Sequence, residues 1–338
     1  PLIIDEISFE DQLCVGQVLV KLDYSGICGS QLGEIAGVKG PDPYLPHLLG
    51  HEGSGTVVEV GPGVSTVHTG DRVVLHWRKG SGIEGKPPKY KWQGKIINAG
   101  HVTTFNAVAV VSENRVTSIP PGTNLKAAAL LGCAITTGFG VITNDAELKI
   151  GENIVVFGAG GVGLNIIQGA KLAGANKIIA VDQWENRLEL AKKFGATSTI
   201  NVNSVKDLKA SVLFEMATCP INVTVDNTGK SSMIKKAYEL ISKDGRVILV
   251  GVPQKGDETT LYTLPMHFGK RLIGSEGGAT IPERDIPKYI NLIKNKKLEY
   301  VNLISSVHPL RDINTVISRM KDGTEAGRAL IKFDNIKL

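Results

Sequence analysis

Two textures of apolar and polar positions divide the chain. Up to residue 137, short apolar runs sit between Gly and Pro punctuation. Val18-Leu19-Val20-Lys21-Leu22, Gly55-Thr56-Val57-Val58-Glu59-Val60, Arg72-Val73-Val74-Leu75 and Ala107-Val108-Ala109-Val110-Val111 read as strands. Gly61-Pro62-Gly63 and Pro120-Pro121-Gly122 read as turns between them. This pattern predicts a mostly antiparallel, barrel-like β domain. From residue 138 strands alternate with helices: strand 153–157, helix 162–173, strand 177–181, helix 185–194, strand 221–226, helix 230–241, then strands 246–251 and 271–275. Repeated βα units predict a doubly wound parallel sheet and an α/β fold class. A tail from 278 adds helices at 287–295 and 311–321 and a strand at 329–333. The expected domains are 138–277 for the parallel sheet, and 1–137 with 278–338 for the β domain.

Composition narrows the function classes. With 338 residues the chain can build two sizeable cores, and 42% hydrophobic with 21% charged residues is ordinary for a globular protein. No apolar run reaches spanning length, which argues against a membrane. A net charge of +5, without a basic tract, argues against nucleic acid. Cys14, Cys28, Cys133 and Cys219 are too few and too scattered for a disulfide framework. A cytoplasmic location with thiols free for a metal is expected, with Cys14 and Cys219, in apolar stretches, as inert buried thiols. The chain opens on Pro1 without a secretory leader or a Met, so its true start is expected to be missing or processed.

Gly158-Ala159-Gly160-Gly161-Val162-Gly163 follows a strand and opens a helix, and Asp182 ends the next strand. In that context the glycines suit a dinucleotide. Gly158 allows the tight turn, Gly160 lets a pyrophosphate approach the backbone, and Gly163 lets the helix pack against the sheet. The free N–H groups around Gly161 and Val162 would face phosphate. Asp182 would take the adenosine ribose hydroxyls and repel a 2′-phosphate, which favours NAD over NADP. The competing reading is a structural Gly-rich turn, with Asp182 capping the following helix.

Three further motifs stand in order: Gly26-Ile27-Cys28-Gly29-Ser30, Gly50-His51-Glu52-Gly53-Ser54-Gly55 and Gly132-Cys133-Ala134-Ile135-Thr136-Thr137-Gly138. No close Cys pair exists, so spacing alone does not define a zinc site. With the glycine turn next in line, the whole chain resembles the zinc-dependent medium-chain alcohol dehydrogenases. The resemblance implies a GroES-like β-barrel catalytic domain beside a Rossmann domain. It also implies one catalytic Zn2+ per subunit, held by Cys28, His51 and Cys133, and NAD as cofactor. Glu52 would be the acid near the zinc and Ser30 the proton-relay hydroxyl. Thr137, Arg187, Val250, Gly274 and Glu276 would contact the cofactor, and Arg328 its pyrophosphate. His76 and Trp77, with Ser30, would line the substrate pocket. The implied reaction is hydride transfer between a small-molecule alcohol, or its aldehyde or ketone, and NAD(H), in a homodimer or homotetramer. The alternative is a polyol or sugar dehydrogenase of the same fold, whose third ligand is usually Glu rather than Cys.

Three departures from the family pattern, and one charged segment, bear on the site. Arg78 to Gly100 contains no cysteine, where many members carry a second, structural zinc. Gln31 replaces the usual Asp beside the ligand His, and its amide oxygen is expected to accept the His51 N–H. Gly33 replaces a relay His, so the proton is expected to pass to water. Finally, Arg78, Lys79, Lys86, Lys89, Lys91 and Lys95, against Glu84 alone, suggest an entrance that favours anionic groups, or else a solvated loop.

Overall fold

The computed structural model describes residues 1–9 and 12–334. Its first compact unit comprises Pro1–Thr136, Ile281–Lys296 and the described residues from Ile304 on. β1 (Gln17–Gly26), β2 (Glu52–Val60) and β3 (Arg72–His76) run antiparallel in sequence, with α1 (Gly29–Ile35) between the first two. A separate hairpin, β4 (Lys89–Trp92) and β5 (Lys95–Asn98), precedes β6 (Val108–Ser112) and β7 (Val116–Ser118). β6 pairs with β1, and β7 with β3. Helices α2 (Leu125–Leu130) and α3 (Ala134–Gly140) follow. The strands alternate inward and outward, so Val18, Val20, Leu22, Val57, Val73 and Leu75 form one buried cluster.

The second unit is Thr137–Thr280 with Lys297–Leu303. Its strands are β8 (Ile154–Phe157), β9 (Ile178–Asp182), β10 (Ser198–Asn201), β11 (Val223–Asp226), β12 (Arg246–Leu249) and β13 (Arg271–Gly274). The helices between them are α4 (Gly161–Leu172), α5 (Glu185–Phe194), α6 (Leu208–Met216) and α7 (Ser231–Leu240). The sheet is parallel, in the order β10-β9-β8-β11-β12-β13. That is the doubly wound Rossmann order, whose switch point lies where β8 meets β11. Buried strands such as Ile154–Phe157 are wholly apolar because both faces are covered.

The chain then returns to the first unit through α8 (Pro282–Lys294), β14 (Ile304–Pro309), α9 (Ile313–Lys321) and β15 (Arg328–Lys332). β15 pairs antiparallel with β1, and β14 parallel with β15. Two details differ from the pattern read in the sequence. The helix expected at 287 begins at Pro282, which takes the first helical position, and Pro287 lies inside it. Residues 297–303 belong with the second unit rather than with the tail, because Gln168 on α4 bonds Glu299 through both its carbonyl and its amide. Among the described residues no helix is long and apolar enough to cross a membrane.

The cysteine-free segment after residue 78 is held by a carboxylate. Glu113 is fully buried. Its Oε1 accepts Ser65 N, Thr66 N and Thr66 Oγ1, and its Oε2 accepts Ile83 N at 2.6 Å. Burial alone would raise its pKa, but these donors hold it below the usual carboxylate value. A lowered folded pKa means the stabilisation is complete above the unfolded value, and is lost as pH falls through the folded one. Glu113→Gln is expected to cost about 2 kcal/mol in urea unfolding at pH 7, since its amide nitrogen would face backbone donors. That deficit should shrink in acid, below the usual Glu value. An equal deficit at both pH values would show that charge is not what holds the loop.

Candidate active site

The site is built around β1. Cys28 follows β1 as the residue before α1, His51 precedes β2, and Cys133 precedes α3. Gly132 is required there: a Cβ would lie 2.2 Å from Leu75 O and 2.8 Å from Glu52 Cα. The structure brings Cys28, His51 and Cys133 together, with ligand atoms all within 4.8 Å of one another. Both cysteines are buried and unpaired. Hydrogen bonding from Cys133 lowers the Cys28 pKa against the opposing effect of burial, and Arg328 and His51 add to it. The same bond, with burial, raises Cys133. Two sulfurs and one imidazole form a donor set that fits Zn2+ with a fourth position open.

Behind the sulfurs lies a buried ion pair. Glu52 is fully buried and Arg328 is 3% exposed. Arg328 Nε is 3.2 Å from Glu52 Oε1, and Nη1 donates to Ile27 O at 3.0 Å. The pairing follows from topology, since β2 and β15 flank β1 on opposite sides. Gly26 leaves room for the Glu52 carboxylate, which would lie 2.3 Å from a Cβ there. Burial raises the Glu52 pKa in spite of the guanidinium beside it. Arg328 is shifted upward although burial opposes it, chiefly because of the Glu52 carboxylate and then the neighbouring Cys28. The same guanidinium also bonds the Cys28 side chain, so Arg328, expected at the cofactor pyrophosphate, is instead committed to Glu52, Ile27 O and the metal group.

Other residues singled out in the sequence are placed differently. His76 is no pocket residue. It is 1% exposed, with Nδ1 at 2.7 Å from Arg78 O and Nε2 at 2.9 Å from Thr117 Oγ1. Burial depresses its pKa to about 4, so it is neutral at pH 7. Trp77, half-buried, lies under the Arg78 guanidinium at 5.8 Å. Ser30 is exposed on α1, and a Cβ at Gly33 would meet Val38 Cγ2 at 3.1 Å. The Gln31 amide oxygen does not take a His51 proton: it accepts Gly50 N, and it is Gln31 Nε2 that faces His51 Nδ1.

In the second unit the glycine turn has three positions with distinct requirements. Gly158 has φ +91°, which glycine tolerates best. A Cβ on Gly160 would meet nothing within 4 Å, and one on Gly163 would lie 1.9 Å from Gly158 O. No side chain caps the α4 N-terminus, so its N–H groups at Gly161 and Val162 suit phosphate. Asp182 is largely buried; it accepts Ala159 N at 2.7 Å and the Gln183 and Trp184 amides. It thus braces the turn as well as facing it. Val250 follows β12, Gly274 ends β13, and exposed Glu276 comes just after. These are carboxyl ends of parallel strands, where such sheets bind ligands. Arg187 Nε and Thr137 Oγ1 are buried without hydrogen-bond partners. The sequence reading missed Asn227 and Thr228, which wall the turn: a Gly158 Cβ would meet Thr228 Cγ2 at 3.3 Å. The signal was the Asp226-Asn227-Thr228-Gly229 turn after an apolar strand, where Asp226 accepts from Thr228 and Gly229.

A Cys-His-Cys group and a nucleotide-type parallel sheet in one chain define the class of zinc-binding dehydrogenases. Comparison with known proteins agrees. Residues 15–121 match the alcohol dehydrogenase GroES-like domain, and residues 161–295 the zinc-binding dehydrogenase domain. An S-(hydroxymethyl)glutathione dehydrogenase of Photobacterium damsela subsp. piscicida is 31% identical, over 91% of this chain and 90% of that one. An alcohol dehydrogenase class-3 of Cereibacter sphaeroides is 30% identical, over 98% and 96%. The crystal structure of benzyl alcohol dehydrogenase from Acinetobacter calcoaceticus superposes with a TM-score of 0.84 at 28% identity, covering 96% of this chain and 94% of that one. The chain belongs to the zinc-dependent medium-chain alcohol dehydrogenase family. It is an enzyme, an alcohol oxidoreductase linked to zinc and NAD.

Proposed function

We propose that the chain oxidises an alcohol, or reduces the matching carbonyl, on one zinc per subunit, with NAD preferred over NADP. The observation that carries this is the convergence of Cys28, His51 and Cys133 within 4.8 Å. Residues 1–136 with the returning tail would form the catalytic part, and the Rossmann sheet the NAD-binding part. Bound zinc supplies Lewis acidity, which favours the deprotonated alcohol and polarises a carbonyl, and NAD takes the hydride. The protein does the rest. Cys28, His51 and Cys133 fix the metal, and Glu52 with Arg328 balances charge behind it. The Ser30 hydroxyl accepts the alcohol proton and passes it outward. Asp182 holds the ribose hydroxyls, and the open side of Gly160 admits the pyrophosphate. Arg187, Thr137, Val250, Gly274 and Glu276 complete the cofactor site.

The substrate class we favour is an alcohol bearing an anionic group. Lys89, Lys91 and Lys95 are exposed on the β4–β5 hairpin. Asn98 ends that hairpin and bonds Leu48, close to His51 in the chain. Several curated relatives are S-(hydroxymethyl)glutathione dehydrogenases. The four free cysteines support a cytoplasmic location. The edge position of β13, with Tyr262 and Phe268 exposed, supports a homodimer or homotetramer. A panel of S-(hydroxymethyl)glutathione, benzyl alcohol and neutral alcohols, each with NAD and NADP, tests the proposal beside elemental analysis. One zinc per chain and faster turnover of the anionic alcohol with NAD is the expected result. Two tightly held zincs, equal use of NADP, or a preference for neutral alcohols would refute the corresponding part.

A further inference from the structure

The Gln31 amide sits among three groups that leave it one orientation. The Gly50 N–H, which can only donate, meets Oε1 at 2.7 Å. The Glu34 carboxylate, an acceptor, meets Nε2 at 2.8 Å. The second hydrogen of Nε2 is left for His51 Nδ1, 3.0 Å away. Turning the amide over would set its nitrogen against an N–H and its oxygen against a carboxylate. Gln31 is 4% exposed, and Glu34 is an exposed neighbour one turn further along α1.

A ligating histidine ordinarily keeps its proton on the nitrogen away from the metal and donates it to an acceptor, which orients the ring and strengthens it as a ligand. Here Nδ1 faces Gln31, so Nε2 is the nitrogen left for Cys28 and Cys133. When Nε2 binds a metal, its proton must move to Nδ1 or leave the ring. On Nδ1 it confronts the Gln31 Nε2–H, and its departure requires an imidazolate. Both routes cost metal-binding free energy.

We propose that Glu34 is a positioning residue that locks Gln31 with its amide nitrogen toward His51, and so keeps the metal of the Cys28–His51–Cys133 group loosely held. The inference rests on the reading of those three residues as metal ligands. It has the opposite sign to simple Coulomb attraction, in which removing a nearby carboxylate would loosen a cation. Without Glu34 the amide can turn its oxygen to the His51 N–H. The charge-assisted bond gained from a metal-bound imidazole outweighs the neutral Gly50 bond lost.

The test compares zinc release from wild-type and Glu34→Ala holoenzyme in excess chelator, followed with a zinc-sensitive dye. Release from Glu34→Ala is expected to be about tenfold slower, the lower end of the usual outer-shell effect. In a Gln31→Leu background, the same Glu34→Ala change should leave release unaltered, because the amide that transmits it is gone. Equal or faster release from the single variant overturns the proposal, as does a tenfold effect that persists in Gln31→Leu. A wild-type chain that takes up no zinc even when zinc is added in saturating excess would instead sink the ligand reading and this inference with it.

Discussion

Cys133→Ser should lower kcat about a thousandfold while leaving NADH affinity within about twofold of wild type. Metal-ion catalysis supplies several kcal/mol, and about 1.4 kcal/mol is a factor of ten in rate. Cys133 belongs to the metal group of the first unit, whereas Gly158, Gly160, Gly163 and Asp182 lie in the second, which has its own core. Loss of one ligand therefore separates chemistry from cofactor binding. Steady-state turnover and a fluorescence titration of NADH check both halves. Turnover within tenfold of wild type would remove Cys133 from the catalytic metal site. Joint loss of turnover and NADH binding would mean that the substitution unfolds the chain.

Glu52→Gln should carry the largest stability cost among the variants considered, about 3–5 kcal/mol in thermal or urea unfolding. Removing one partner of a buried pair leaves the other charge uncompensated. The Arg328 guanidinium would keep the Ile27 carbonyl and lose its carboxylate. The 3.2 Å pair and the upward shift of the Glu52 pKa pull in different directions. The geometry weighs more here, because the same guanidinium sits beside two thiols and is itself shifted toward its charged form. A loss below about 1 kcal/mol would mean that Glu52 is already neutral in the folded protein.

The parts of the fold legible in the sequence are those where burial dictates composition. Ile154–Phe157 and Ile178–Asp182 are covered on both faces and leave no doubt as strands. β10, Ser-Thr-Ile-Asn, went unread because an edge strand needs few apolar residues. The β4–β5 hairpin was hidden by lysines, although Gln93-Gly94 carried its signal: both have positive φ, +48° and +75°, as a two-residue hairpin turn requires.

In the site the same limit holds at finer grain. The ligand trio and the glycine turn follow from residue types in order. The direction of the Gln31 amide does not, since it depends on a backbone N–H and a carboxylate at other positions. His76 was misread for a related reason. It ends β3, where every residue after Arg72 is buried, and Thr117 from the adjoining strand occupies its far nitrogen. Nothing in the residues around His76 announces that partner.

Glu113 has a consequence for how the enzyme fails. A loop fastened through sulfur and metal comes undone when the metal is withdrawn or the thiols are oxidised. The loop here is fastened through Ile83 N to the Glu113 carboxylate, which also holds Ser65 and Thr66, and neither event touches these bonds. Metal starvation then strikes the Cys28–His51–Cys133 group, and oxidation that group together with Cys14, which is exposed rather than buried as expected. The chain can fall idle without exposing this stretch to proteases, and it can be recharged without refolding it.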